Sequence, residues 1–338
     1  MSSGPVVVGI DVGGTKTNAT VVDDSGHILV DRMVEGPSRV TDGPPAAVDA
    51  IDAIMITVLD VAGAERSQVR AVGLDTPGPA SATGVISARG ATNFADPAWW
   101  GFDIREAVEE RLGLPVIYNN DGNAAALYAH ERHFGFDAGA RSSISAIVGT
   151  GLGGGVIESG RVVKGAAGMA GELGHVHVPL TGILEPDQPV PSCNCGFDAD
   201  LESVASLAGI RRNLLPYWLT RYPDHPLAAL PIDEAAKVVR SYGEDGDEMA
   251  LAIFGQQAAA IGRMFTIAAN FTDPDAYFVG GGVTEARPHF RDWFLDQVRH
   301  ATTLRAEQLS VTEFAIVADL DMAGARGSAL AALHAIRP

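Results

Sequence analysis

Two segments of this 338-residue chain share one grammar, in which a β-rich apolar run, a glycine-rich turn and a second β-rich run follow each other. In the first, residues 6–10 lead into Gly9-Ile10-Asp11-Val12-Gly13-Gly14-Thr15-Lys16, with further β-rich runs over 20–22 and 27–34. In the second, residues 143–148 lead into Gly149-Thr150-Gly151-Leu152-Gly153-Gly154-Gly155, with a strand expected over 154–158. One such turn is a common structural hairpin, or a place where bare backbone amides and a threonine hydroxyl approach phosphate oxygens. Two copies, one per half, can grip a polyphosphate from both sides. The spacing satisfies neither a Walker loop nor a dinucleotide fingerprint. A third cluster, Gly280-Gly281-Gly282, follows the apolar run 277–279, where a backbone without side chains leaves room for an adenine ring.

Between these landmarks β and α patterns alternate, which is α/β order. Helices are expected over 44–62, 104–112, 122–133 and 325–336, and strands over 69–74, 116–118, 276–279 and 313–317. Residues 179–192 carry four prolines and read as a loop. The expected division is an N-terminal α/β domain over 1–118, completed by a returning C-terminal helix in 320–338, and a larger α/β domain over 119–319. Apolar residues make up 46% of the chain, enough to build a core in each half. No apolar run approaches the roughly 20 residues of a membrane span. The N-terminus lacks the basic and cleavable segments of a secretory signal, so a cytoplasmic protein is expected. With 24 basic and 42 acidic residues the net charge is −18, which disfavours nucleic acid and anionic membrane as partners. The two cysteines, Cys193 and Cys195, are too close in sequence for an unstrained disulfide and read as reduced thiols or metal ligands.

At the junction of the halves stands Asn119-Asn120-Asp121-Gly122-Asn123-Ala124, with Asp121 after a strand and before a helix. A carboxylate there can accept the proton of a hydroxyl attacking a phosphoryl group. It can equally be a helix N-cap.

Taken together, Asp11-Val12-Gly13-Gly14-Thr15-Lys16, Pro77-Gly78-Pro79, Asn120-Asp121, Gly149 to Gly155, Glu172-Leu173-Gly174-His175, Cys193-Asn194-Cys195-Gly196, Glu202 and Gly280-Gly281-Gly282 stand in family order. In these the chain resembles the ROK family of repressors, open reading frames and sugar kinases, and within it the bacterial glucokinase-like enzymes. The resemblance implies an actin-like ATPase (ribonuclease H-like) fold, two α/β domains flanking a cleft, and an ATP-dependent sugar kinase whose small-molecule partners are a sugar and ATP. It implies that Asn120 and Asp121 bind sugar hydroxyls, with Asp121 as general base, and that Glu172, His175 and Glu202 complete the sugar contacts, with Asn93 and the backbone at Gly78 beside them. Asp11, Gly13, Gly14, Thr15, Lys16, Thr150, Gly151, Gly153, Gly281 and Gly282 would hold the nucleotide, and Mg²⁺ would bridge its β and γ oxygens. Lys16 has a second reading as an exposed hairpin lysine. Homodimers or homotetramers are carried over in the same way.

The family pattern joins the histidine of Glu-x-Gly-His to three cysteines around a structural zinc ion. Here His175, Cys193 and Cys195 remain, and Asp200 occupies the third cysteine's position. Aspartate is a legitimate zinc ligand, so a His, Cys, Cys, Asp site is chemically sound. The alternative is a metal-free loop in which Asp198 or Asp200 caps the following helix. His177 would share the face of His175 if this segment were a regular strand.

Glucose is the first substrate expected, with another hexose, an N-acetylhexosamine or a cyclitol as the alternatives and polyphosphate as a second donor. A sugar-responsive repressor would need a DNA-binding module ahead of the first strand, and the charge opposes it. A catalytically silent sugar sensor would not need both phosphate turns and Asp121.

Overall fold

The computed structural model describes residues 4–87, 94–317 and 322–337. The chain divides into two compact units, Met1–Gly139 with Gly155–Gly171 and Asp319–Pro338, and Ala140–Gly154 with Glu172–Ala318. Two five-stranded sheets repeat one strand pattern. The strands β1 (Val6–Val12), β2 (Lys16–Asp23), β3 (Val34–Pro37), β4 (Val69–Thr76) and β5 (Val116–Asn120) form a sheet in the order β3-β2-β1-β4-β5. The strands β6 (Ser143–Val148), β7 (Leu152–Glu158), β8 (Arg161–Val162), β9 (Ala276–Gly281) and β10 (Glu313–Ile316) form a second in the order β10-β9-β6-β7-β8. In both, the first strand runs parallel to the fourth, and the fourth to the fifth. The expected β-rich run over 27–34 is not a strand: only Ile28 makes a bridge, to Val22, and pairing to β2 resumes with β3.

Alternation along β1 assigns the two faces of the first sheet. Val8, Ile10 and Val12 join Leu74 in the core that also takes in Ile51, Met55 and Val58 of α1 (Pro44–Ala62) and Ile104 and Val108 of α2 (Ile104–Leu112). Trp99 closes this core, its ring edge-on to Phe94 and its Nε1 donating to the Val40 carbonyl at 2.9 Å. The opposite face is layered in three rows. Val7 pairs with Ala71 and packs on Ala329, Ala332 and Leu333; Gly9 pairs with Gly73; Asp11 pairs with Asp75.

The middle row lets the C-terminal helix, Ala323–Ile336, lie directly on the strands. A Cβ on Gly9 would fall 1.9 Å from the Ala325 carbonyl oxygen, and one on Gly73 would fall 1.8 Å from that of Ser328. On its other side the same helix crosses α3 (Asp121–Phe134), where a Cβ on Gly327 would lie 1.8 Å from the Ala124 oxygen. The helix expected to open the second domain therefore belongs to the first unit, because its small residues Ala124 to Ala126 meet the C-terminal helix there.

In the second unit the 25-residue helix Glu248–Thr272 packs with Pro288–Ala301, and Gly262 sets their approach: its Cβ would be 2.5 Å from the Val298 oxygen. Phe265, Tyr277 and Phe314 stack beneath it. Among the described residues, no helix is long and apolar enough to cross a membrane.

Because the helix and sheet backbones leave no room for a methyl group at Gly73, Gly73→Ala should force the C-terminal helix outward. Overpacking of this kind costs about 1–3 kcal/mol. Urea unfolding should show a loss of that size, whereas Gly63→Ala, at a surface helix end, should lose only what its left-handed φ of 63° demands.

Candidate functional site

The first turn is a short connection between β1 and β2, closed by the Gly13 N–H donating to the Lys16 carbonyl at 2.8 Å. Neither Gly13 nor Gly14 has a positive φ. Their lack of a side chain, not a special backbone angle, is what they bring. Thr15 is exposed at the tip. Lys16 is also exposed and pairs with Glu35 of β3 at 2.8 Å, which fits the hairpin-lysine reading.

Asp121 and the cap separate cleanly. Asn120 is the N-cap of α3, its Oδ1 accepting from the N–H groups of Gly122 at 2.8 Å and Asn123 at 3.3 Å. Asp121 is the first helical residue, exposed, with its Oδ1 accepting from Gly122 N–H at 2.7 Å. A carboxylate in this position sits at the favourable end of the helix dipole. With its oxygen committed to the cap, Asn120 has its amide N–H group to offer a ligand. Gly78, half-buried, follows β4 in the same unit. Asn93 lies outside the described residues.

The second turn is built differently. Gly149 N–H donates to the Gly151 carbonyl at 2.9 Å, and Gly149 and Thr150 accept from the N–H groups of Leu207 and Ala208 at 3.0 Å each. Glu202 fixes its far side, its Oε2 accepting from Leu152 N–H at 2.8 Å; a Cβ on Gly151 would come within 2.6 Å of that oxygen. Thr150 and Gly153 remain exposed. Gly281, by contrast, is glycine for packing: its φ is 90°, and a Cβ would lie 2.0 Å from the Val148 oxygen. The Gly282 carbonyl next to it accepts from Arg240.

Glu172, His175 and Glu202 come together electrostatically in the second unit. Burial pushes the Glu172 carboxyl up, with the positive His175 drawing it down and Glu202 adding to the rise. His175 is held above its ordinary range by its hydrogen bond to Asp200, helped by Glu202 and Glu172. The segment Leu173–His175 is a short 3-10 turn, so His177 does not share a strand face with His175. It bridges Asp200 through the backbone and meets the Phe197 ring edge-on.

Behind this set, His175, Cys193, Cys195 and Asp200 bring one ligand atom each within 4.8 Å of one another. Asp200 is fully buried and serves both readings made from the sequence. Its Oδ1 caps the helix Leu201–Ala205 by accepting from Ser203 N–H at 2.9 Å. Its Oδ2 accepts from His175 Nδ1 at 3.0 Å and from the Cys195 thiol at 3.3 Å. Burial opposes the charge on Asp200, but hydrogen bonds from His175, Cys193, Ser203 and Cys195 outweigh it and bring the carboxyl down to about 2. Burial pushes the Cys193 thiol up. Both cysteines are free thiols.

Sequence reasoning overlooked Asp75, fully buried, whose Oδ2 accepts from Ser328 Oγ at 2.6 Å. It also overlooked Lys164, whose Nζ donates to the Tyr118 carbonyl at 2.6 Å in a small polar cavity lined by Asn119, Asn120 and Asn123. The alternation Gly73-Leu74-Asp75 was the available signal for Asp75: a carboxylate on the face that a glycine opens to a helix.

The ROK family model matches residues 7–335. The chain belongs to the ROK family. A glucokinase of Halalkalibacterium halodurans is 33% identical over 315 residues, covering 89% of this chain and 90% of that protein. The crystal structure of a ROK hexokinase from Thermus thermophilus superposes with a TM-score of 0.75 at 31% identity, covering 98% and 99% of the two chains. That of a ROK family glucokinase from Streptomyces griseus in complex with glucose and AMPPNP gives a TM-score of 0.70 at 29% identity, covering 97% and 99%. With these neighbours, the repeated sheet order identifies the fold as the actin-like ATPase arrangement expected from the sequence.

If Asp200 is the cap, then in protein freed of metal Asp200→Asn should keep the shape and lose charge, and Asp200→Ala should lose the cap as well. Loss of an N-cap costs about 1 kcal/mol. Urea unfolding should therefore rank wild type above Asn and Asn above Ala.

Proposed function

We propose that this ROK protein transfers the γ-phosphoryl group of ATP to a hydroxyl of glucose, giving glucose 6-phosphate and ADP. The observation that carries the reading is Asp121: an exposed carboxylate at the first position of α3, directly after the Asn120 cap, in a chain whose similar proteins include glucokinases. Asp121 accepts the proton of the attacking hydroxyl as the new oxygen–phosphorus bond forms and the bond to ADP breaks in line. Gly13, Gly14 and Thr15 present backbone amides and a hydroxyl suited to phosphate oxygens, and Thr150, Gly151 and Gly153 do the same. Asp11 stands behind the first turn. Mg²⁺ bound with the nucleotide would supply the charge neutralisation that this acidic protein lacks. Asn120, Glu172, His175 and Glu202 accept from and donate to the sugar hydroxyls. Such a set discriminates epimers because a missing hydroxyl leaves a buried group unpaired.

The four groups His175, Cys193, Cys195 and Asp200 fit a zinc ion. Each offers one ligand atom within 4.8 Å of the others, and imidazole, thiolate and carboxylate are ordinary zinc ligands. Bound there, zinc would supply a structural anchor for the segment carrying His175 and Glu202, orienting sugar contacts without touching the sugar.

Asp121→Asn should lower kcat by roughly 10²- to 10⁴-fold with little change in the KM for glucose, as measured by coupled ADP release. Retained turnover would require another base. The same assay across glucose, mannose, N-acetylglucosamine and N-acetylmannosamine should show the highest kcat/KM for glucose, and preference for an acetylated sugar would replace the substrate while keeping the chemistry. Purified protein should carry about one zinc per chain, and chelation should lower Tm and raise the glucose KM together. A zinc content far below that, with Tm unmoved by chelator, would remove the metal from the account.

A further inference from the structure

We propose that Asp75 is a positioning residue for the first phosphate turn: in the resting protein Asp75 and Asp11 hold one proton between their carboxyl groups, so the pair carries a single negative charge behind Gly13 and Thr15. The consequence for nucleotide rests on the kinase reading above. The shared proton does not.

The geometry leaves few alternatives. Asp11 and Asp75 are register partners on the adjacent parallel strands β1 and β4, so their side chains emerge side by side on the face under the C-terminal helix. Asp75 is fully buried; its Oδ2 is taken by Ser328 Oγ at 2.6 Å, and its Oδ1 has no hydrogen-bond donor among the described residues. What Asp75 meets instead is the Asp11 carboxyl. The helix backbone passes close to Asp11, which is half-buried: a Cβ on Gly324 would lie 2.8 Å from the Asp11 Cγ.

The groups acting on Asp75 from the elements around it are Asp11 of β1, Asp121 of α3 and Ser328 of the C-terminal helix. Its register partner on β5 is Asn119, an uncharged amide. Arg326, on the same helix as Ser328, directs its guanidinium to the Tyr128 hydroxyl at 2.8 Å. Among the described residues, the charged groups acting on Asp75 are carboxylates, and two like charges side by side, one of them fully buried, cannot both ionise. Burial, then Asp11, pushes Asp75 well above the ordinary carboxyl range. Burial also raises Asp11, while hydrogen bonds from Asp75 and Asn18 pull it back. One proton therefore lies between the two carboxyl groups. The two titrate as one unit.

The sign of the effect on stability follows. The folded protein holds this proton more tightly than the unfolded chain, so the pair costs nothing below the ordinary carboxyl range. It costs progressively more as pH rises through the raised native value. Asp75→Asn, which donates to Asp11 permanently and still accepts from Ser328, should match wild type in Tm at acid pH and exceed it at alkaline pH.

The deciding experiment is infrared difference spectroscopy of ligand-free wild type against Asp75→Asn at neutral pH. It should show one protonated, buried carboxyl stretch in wild type that the variant lacks. The pH profile of the ATP KM is the second readout. In wild type it should climb about tenfold on the alkaline side as a second charge appears behind the turn, and in Asp75→Asn it should stay flat. Asp75→Ser provides the spectrum should Asp75→Asn fail to accumulate as folded protein. Absence of a protonated carboxyl in wild type, or parallel KM profiles in wild type and variant, overturns the proposal. A protein that phosphorylates no sugar but shows the carboxyl signal refutes the kinase reading and leaves the shared proton standing.

Discussion

The contact on which the first unit depends is that of backbone on backbone, where the helix Ala323–Ile336 lies against Gly9 and Gly73. A helix normally rides on a sheet through side chains. Here two strands give up their side chains at one row, and the last helix of the chain sinks into the gap. The rows on either side then acquire their characters from that approach. Toward β1's start, Val7 and Ala71 bury against Ala329, Ala332 and Leu333. Toward its end, Gly324 comes close to Asp11, and Ser328 donates to the fully buried Asp75. The same helix admits α3 through Gly327, which places Asn120 and Asp121 at the start of a helix whose axis is fixed from behind. A chain segment more than 300 residues from the first turn thereby sets its surroundings.

The second unit solves the parallel problem with polar groups. Its glycine turn is not backed by a helix. Instead Glu202 reaches the Leu152 N–H, and Gly149 and Thr150 accept from Leu207 and Ala208. Glu202 sits on the short helix Leu201–Ala205 that Asp200 caps, with Ser203 Oγ donating to the Asp200 carbonyl at 2.6 Å, and Leu207 and Ala208 sit on the next helical turn, which Ser206 caps. A single carboxylate, Asp200, therefore stands at the root of the turn, of Glu202 and of His175.

Much of this was legible beforehand because the signals were local. The helix Pro44–Ala62 carries its apolar stripe, a proline at its first turn and Gly63 just past its end, and its bounds emerge unchanged. The helix Ile104–Leu112 is bracketed by Asp103 and Gly113 in the same manner. Residues 27–34 misled because the β-propensity of Ile28 to Val30 is spent on a single bridge and on burying Val30, with no partner strand in register beside them. The domain boundary misled for a different reason. The helix after Asp121 is continuous in sequence with the second half, and only the return of the C-terminal helix, an interaction nearly 200 residues distant, claims it for the first. Gly281 was read as space for a ring, while its positive φ and its closeness to Val148 are properties of strand pairing that no sequence spacing displays.

The replacement of a third thiolate by Asp200 becomes intelligible at the atomic level. A cysteine at a helix N-cap position offers a weak acceptor to the first-turn N–H groups, whereas aspartate is among the preferred caps. With two oxygens, Asp200 divides the work: one satisfies Ser203 N–H, and the other faces His175 and Cys195. The carboxylate is ionised across the whole physiological range, since its hydrogen bonds hold it at about 2. In the metal-free protein it thus keeps His175 oriented. The loop of a thiolate-only site, once stripped of metal, would lose the ligand that organises it. This one retains a hydrogen-bonded core of its own, and the position of Glu202 at the glycine turn is correspondingly less dependent on the ion.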